Sequence, residues 1–208
     1  SSDLFPDQGE LAGLAQKRLE ALAADGPAVA TERLVWASRA PVAAFISKDG
    51  ARLSFVNWMT YSVGLRDLVT GQSRVVVDAT RQGYSDAAPV LSPDGKRIVF
   101  NWYENGWEGY GLRLASNDGS EVEDLYRNDE VRWMAPFDWS TDGELILALF
   151  ERRDRTQQIA VVSSRDGTAR IIKSLDWSGT SNMKFSPQSR RSEEHTSELQ
   201  SQFRISYA

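Results

Sequence analysis

Side chains suited to recognition crowd a few short stretches of this sequence. Trp58-Met59-Thr60 is one, Trp102-Tyr103-Glu104-Asn105-Gly106-Trp107-Glu108 a second, and Arg127 to Trp133, with Arg132 beside Trp133, a third. Arg81 to Asp86, Arg152 to Thr156 and Trp177 to Asn182 are similar. Tryptophan, tyrosine and arginine dominate interface energetics because they bury large surfaces while keeping a polar tip. Bond-making chemistry is harder to find. The sole histidine is His195 and cysteine is absent. Without His195 a Ser-His-Asp triad cannot be assembled, and a zinc site from histidine and cysteine lacks ligands. There is no Gly-x-Ser-x-Gly elbow and no glycine-rich phosphate loop before a helix. Asp86, Asp129, Glu130 and Asp176 offer oxygen ligands, but their spacing matches no calcium loop and they read as solvated carboxylates. The expectation is a protein with no catalytic residue, metal or cofactor.

The elements that carry these stretches form a repeat. An apolar residue, Ser, any residue and Asp-Gly recur before a hydrophobic run. The copies are Ile46-Ser47-Lys48-Asp49-Gly50, Leu91-Ser92-Pro93-Asp94-Gly95 and Trp139-Ser140-Thr141-Asp142-Gly143, with a decayed Phe185-Ser186-Pro187-Gln188-Ser189. Gly50, Gly95, Gly143 and Ser189 are 45, 48 and 46 residues apart, a period that marks propeller blades. Asp-Gly supplies the φ values of a tight turn. The third residue after each Gly is Leu53, Ile98 or Ile146, and the fifth is Phe55, Phe100 or Ala148, so both share one strand face. A second turn follows at Thr70-Gly71, Asp118-Gly119 and Asp166-Gly167. Strands are expected before it (64–68, 110–115, 158–163) and after it (73–77, 121–126, 169–173). Two hairpins per repeat make one four-stranded antiparallel blade. The predicted fold is all-β: a partial β-propeller of about three to four such blades, with one N-terminal α-helix.

The run Ser92-Pro93-Asp94-Gly95-Lys96-Arg97-Ile98-Val99-Phe100 resembles the PD40, or TolB-type (WD40-like), propeller repeat, over roughly residues 33–190. Tyr126 to Arg132 and Lys173 to Trp177 are more loosely similar to bacterial sensor-like proteins with such repeats. The resemblance implies a six- to eight-bladed ring that binds a protein or small ligand in a sensor or assembly role, in bacteria often in the periplasm. A rival implication is the gating propeller of a prolyl-oligopeptidase-type serine peptidase, whose hydrolase domain would carry a Gly-x-Ser-x-Gly motif elsewhere.

Blade topology sorts the loops. Both Asp-Gly-type turns fall on one rim, and the aromatic and arginine-rich stretches fall on the other. Trp58, Trp102, Tyr103, Trp107, Arg127, Arg132 and Trp133 are the candidate partner-binding residues there. Asp49, Gly50, Asp94, Gly95, Asp142 and Gly143 are structural turn residues. Trp102 and Phe150 both lie seven residues past the turn Gly, a position that also suits capping a blade core. Trp139 falls at an apolar repeat position and is expected in the core.

Three segments are expected. Residues 1–30 are helical: Leu11, Leu14, Ala15, Leu19 and Leu22 make an apolar stripe over 8–24, Asp7 can cap it and Gly26-Pro27 ends it. Residues 31–190 form the blades, with 33–36 as a strand and the ring incomplete. Residues 191–208 are set aside, because 191–201 (Arg-Ser-Glu-Glu-His-Thr-Ser-Glu-Leu-Gln-Ser) resemble a translated sequencing adapter. The chain is accordingly expected to be a fragment. Its composition is globular, 41% hydrophobic and 25% charged, and residues 1–190 hold 22 basic and 26 acidic residues. That balance argues against nucleic acid, and no apolar run reaches membrane-span length.

Overall fold

In a computed structural model the chain divides into two units, residues 1–34 and 35–208. The structure describes Trp36, 42–79, 83–104, 109–175, 183–185 and the backbone of 205–207. The expected helix over 8–24 and the strand over 33–36, apart from Trp36, lie outside these residues. Trp36 itself is not in a strand.

Three antiparallel sheets follow one another. Blade 1 is β1 (Val42–Ile46), β2 (Arg52–Asn57), β3 (Ser62–Asp67) and β4 (Ser73–Val77), paired in that order. Blade 2 opens with two short pieces, β5 (Gly83–Tyr84) and β6 (Val90–Leu91). Both pair with β7 (Arg97–Glu104), and β8 (Tyr110–Ser116) and β9 (Val122–Tyr126) complete it. Blade 3 is β10 (Val131–Trp139), β11 (Leu145–Arg152), β12 (Gln157–Ser163) and β13 (Ala169–Ser174). A fourth repeat begins at β14 (Met183–Phe185), which pairs with β15 (Ile205–Tyr207). Two strands run further than sequence signals mark. β7 continues through Trp102, Tyr103 and Glu104, and β10 starts at Val131, so these residues are strand rather than loop.

The Ser-x-Asp-Gly phrase works as a closed hydrogen-bond circuit. Ser92 Oγ donates to Asp94 Oδ1 at 2.6 Å and accepts from the Arg97 amide at 2.9 Å, while Asp94 Oδ1 accepts from the Lys96 amide at 3.1 Å. The same three bonds recur around Ser47 and Ser140. Each turn thus pairs these polar groups within itself, without help from a neighbouring blade. These bonds to the charged form hold Asp49 and Asp94 below the usual carboxylate range.

Packing follows strand alternation. The third and fifth residues after the turn Gly face the preceding blade, and the fourth and sixth face the following one. Ile98 and Phe100 therefore meet Val56, and Ile146 and Ala148 meet Val99. Leu147 and Leu149 meet Met183 and Phe185 of the fourth repeat. Trp139 is fully buried between blades 2 and 3 and donates Nε1–H to Val90 O at 3.1 Å. Truncating such a side chain costs about 3–5 kcal/mol.

Close approach between blades is set at the second turns. A Cβ on Gly119 would lie 2.4 Å from Val76 O, and one on Gly167 would lie 1.9 Å from Leu125 O. Each blade's outer turn thus presses on the outer strand of the blade before it. The outer strands also share a bulge at one repeat position, at Val63/Gly64, Leu112/Arg113 and Ile159/Ala160. A bulge there twists an exposed edge away from flat pairing.

Candidate binding rim

On the rim opposite the Asp-Gly turns, blades 1 and 2 present a continuous aromatic surface. It begins at the β2–β3 turn. Asn57 O accepts from the amides of Thr60 and Tyr61 at 3.1 and 2.6 Å, and Asn57 Oδ1 accepts from the Met59 amide at 2.9 Å. Tyr61 closes the turn at φ 57°, a left-handed conformation that costs a bulky residue about 1–2 kcal/mol. The result is a tip that holds Trp58 47%, Met59 73% and Tyr61 44% exposed.

Behind the tip stands a tyrosine cluster. Tyr61 lies 5.2 Å from Tyr84 between ring centroids, Tyr84 lies 5.1 Å from Tyr103, and Tyr103 lies 5.3 Å from Tyr110. Ring pairs at these distances and tilts attract beyond their burial. The cluster rests on one carboxylate. Asp86 Oδ2 accepts from the Tyr110 hydroxyl at 2.6 Å, and Asp86 Oδ1 accepts from Asn101 Nδ2 at 2.6 Å and from Trp133 Nε1 at 3.2 Å. Burial first, and then the bond to Asp86, push the Tyr110 phenol well above its ordinary range.

Asn101 is the residue that sequence reasoning missed. It is fully buried, and its Oδ1 accepts from Ser85 Oγ and from the amides of Asp86 and Ala87. It thereby replaces ladder bonds in the gap between β5 and β6. A signal was present in the sequence: the sixth residue after the turn Gly is Val56 in blade 1 and Leu149 in blade 3, but Asn101 in blade 2.

The predicted residues separate accordingly. Trp58 and Tyr103 join the aromatic rim. Trp102 is buried between blades 1 and 2, with Arg113 over its ring at 5.0 Å, the capping role its repeat position also suits. Trp133 is half-buried and joins blade 3 to Asp86. Arg127 Nη2 pairs with Glu104 and, at 3.0 Å, with Asp124, while Arg132 pairs with Glu151 at 2.9 Å. Trp107 and Asp176 lie outside the described residues. Among the described residues no group of three or more His, Cys, Asp or Glu could hold a metal ion.

The comparisons with solved structures agree on architecture. A TolB from Acinetobacter baumannii superposes on 73% of this chain with a TM-score of 0.58 and 21% identity. A TolB-type protein from Agrobacterium tumefaciens covers 74% with a TM-score of 0.60 and 18% identity. The chain has a TolB-like β-propeller fold. A chain of a nidogen/laminin complex matches 70% of it with a TM-score of 0.56 and 13% identity. This chain spans 37%, 53% and 52% of the lengths of those three. No family model and no curated protein matches the sequence. Among the described residues, no helix of this TolB-like chain is long and apolar enough to cross a membrane.

Proposed function

We propose that the chain is a non-catalytic binding scaffold that engages a protein partner through the aromatic rim of blades 1 and 2. The observation that carries this reading is the exposed Trp58, Met59 and Tyr61 tip, held by a strained turn and backed by Tyr84 and Tyr103. Apolar rings gathered at a surface and stiffened from behind lose little freedom on binding, which is the property of an interface anchor. Backbone strain retained at an exposed tip supports the same reading, since a relaxed turn would place Gly there. The nidogen/laminin structure is an instance of a chain with this architecture crystallised in a complex between proteins. The test is the loss of partner capture in a Trp58→Ser/Met59→Ser variant whose melting is unchanged. Capture equal to that of the unmodified chain would refute the assignment.

A further inference from the structure

A second feature lies on the opposite rim, in the groove between blades 1 and 2. It encloses ≈ 350 Å³ and is lined among others by Arg52, Asp67, Thr70, Ser73, Arg74 and Asn117. Volumes of this size suit a small ligand. Arg52 Nη1 donates to Gly95 O at 3.2 Å, and Asn117 Nδ2 donates to the same carbonyl at 2.6 Å. Among the described residues neither Arg52 nor Arg74 forms an ion pair. Asp67 is already engaged: its Oδ1 accepts from the amides of Val69 and Thr70 at 2.9 and 2.7 Å. The three charged side chains leave the groove with one net positive charge.

The next groove shows that this charge is not imposed by the repeat. Arg97 is the blade 2 counterpart of Arg52, but its guanidinium stacks over the Trp139 ring at 5.3 Å and reaches Ser164 O and Oγ at 3.3 and 3.4 Å. The counterpart of Arg74 by strand register is Glu123: Leu65 pairs with Arg74 in blade 1 as Leu114 pairs with Glu123 in blade 2. The arginine after the turn is therefore a blade clasp used twice. By the same register blade 3 carries Arg170, opposite Val161, but has Leu145 two residues after its turn Gly. Of the three blades, blade 1 alone joins both arginines, and blade 2 carries the opposite charge at the second position.

We propose that the groove between blades 1 and 2 binds a small oxyanion of the phosphate class through Arg52 and Arg74. A guanidinium offers a planar fork of donors matched to two oxygens of such an anion. The hydroxyls of Thr70 and Ser73 and the Asn117 amide supply neutral polar groups around it. Nothing in this site touches the aromatic rim, so the two assignments stand or fall separately.

The experiment is thermal unfolding of the full chain against increasing inorganic phosphate, with sodium chloride holding ionic strength constant. The unmodified chain should show a saturable rise in midpoint. Arg74→Glu, which copies the blade 2 residue at an exposed position, should weaken apparent affinity about tenfold or more while melting normally without phosphate. Arg74→Lys should retain part of the effect, since the charge stays and the fork is lost. No rise in the unmodified chain would overturn the proposal. So would an unsaturable rise shared equally by Arg74→Glu, which is the general exclusion effect of phosphate on compact states.

Discussion

The two rims are built by opposite means. On the Asp-Gly rim the same bonds recur turn after turn: Ser47, Ser92 and Ser140 each donate to an Asp and accept an amide. On the other rim less recurs. The turns of blades 1 and 3 each hold a left-handed residue that is not glycine, but it is aromatic Tyr61 in one and Arg155 in the other. The first strand of blade 2 alone is split, and a buried Asn stands where its neighbours carry Val56 and Leu149. Repetition fixes the architecture, and the binding rim proposed above is where repetition fails. The Arg52–Arg74 groove is a departure of another kind: blade 1 joins the two arginines, whereas blade 2 has Arg97 with Glu123 and blade 3 has Leu145 with Arg170.

Asn101→Val, which imposes the residue of blade 1 on blade 2, should break this contrast most severely. It leaves the amides of Asp86 and Ala87 without their side-chain acceptor and takes one of three donors from the Asp86 carboxylate. Buried unsatisfied groups cost about 1–3 kcal/mol each, so urea unfolding should show a loss of roughly 3 kcal/mol or more. A loss below about 1 kcal/mol would mean that the Asp86 network adds little beyond packing.

Glycine sharpens the comparison within the repetitive rim. Gly50 at φ 71° has open space where a Cβ would stand, whereas Gly167 at φ 72° would place one 1.9 Å from Leu125 O. Gly50→Ala should cost about 1–2 kcal/mol from φ alone. Gly167→Ala should cost roughly 2–4 kcal/mol, because the blades must also part. Equal losses in denaturant midpoint would remove the argument that the second turns set blade spacing.

The smallest effects are those of pH. The turn carboxylates Asp49, Asp94 and Asp118 are held low by hydroxyl and amide donors, Asp118 to about 2. Their folded values lie below their unfolded ones, so their contribution is complete above about pH 4 and fades as the pH falls through the folded values. Tyr110 is raised, so its contribution is complete below about pH 10 and is lost above that. Unfolding midpoints should fall between pH 4 and pH 2, and Asp118→Asn should flatten that fall. An unchanged slope would contradict the assigned role of the donors around Asp118.

Most of the fold was legible because turn chemistry and strand period are local. The fourth strand of blade 1 is found at Ser73–Val77, where the Thr70-Gly71 turn placed it, and the third strand of blade 2 begins at Tyr110 as expected. Strand ends were less legible. Trp102, Tyr103 and Trp133 are strand-favouring residues beside loop-like runs (Glu104-Asn105-Gly106 and Asn128-Asp129-Glu130), and pairing places them in β7 and β10. The rim was legible only in composition. Trp58 stands out by its place in a loop, but the ring contacts among Tyr61, Tyr84, Tyr103 and Tyr110 join residues up to 26 positions apart, and no local pattern encodes such a meeting. Arg127 and Arg132 are candidates from their place in the repeat alone; their ion pairs with Glu104, Asp124 and Glu151 are long-range facts that the sequence does not carry.

The most direct test compares affinity capture by three chains: the unmodified protein, Trp58→Ser/Met59→Ser on the aromatic rim, and Lys96→Ala on the Asp-Gly rim. Equal melting and equal circular dichroism are required of all three. A protein partner held by the first and third and lost by the second is the predicted result. Retention by the aromatic-rim variant, or loss on changing Lys96 instead, would contradict the claim that this propeller binds through the rim where its repeat is broken.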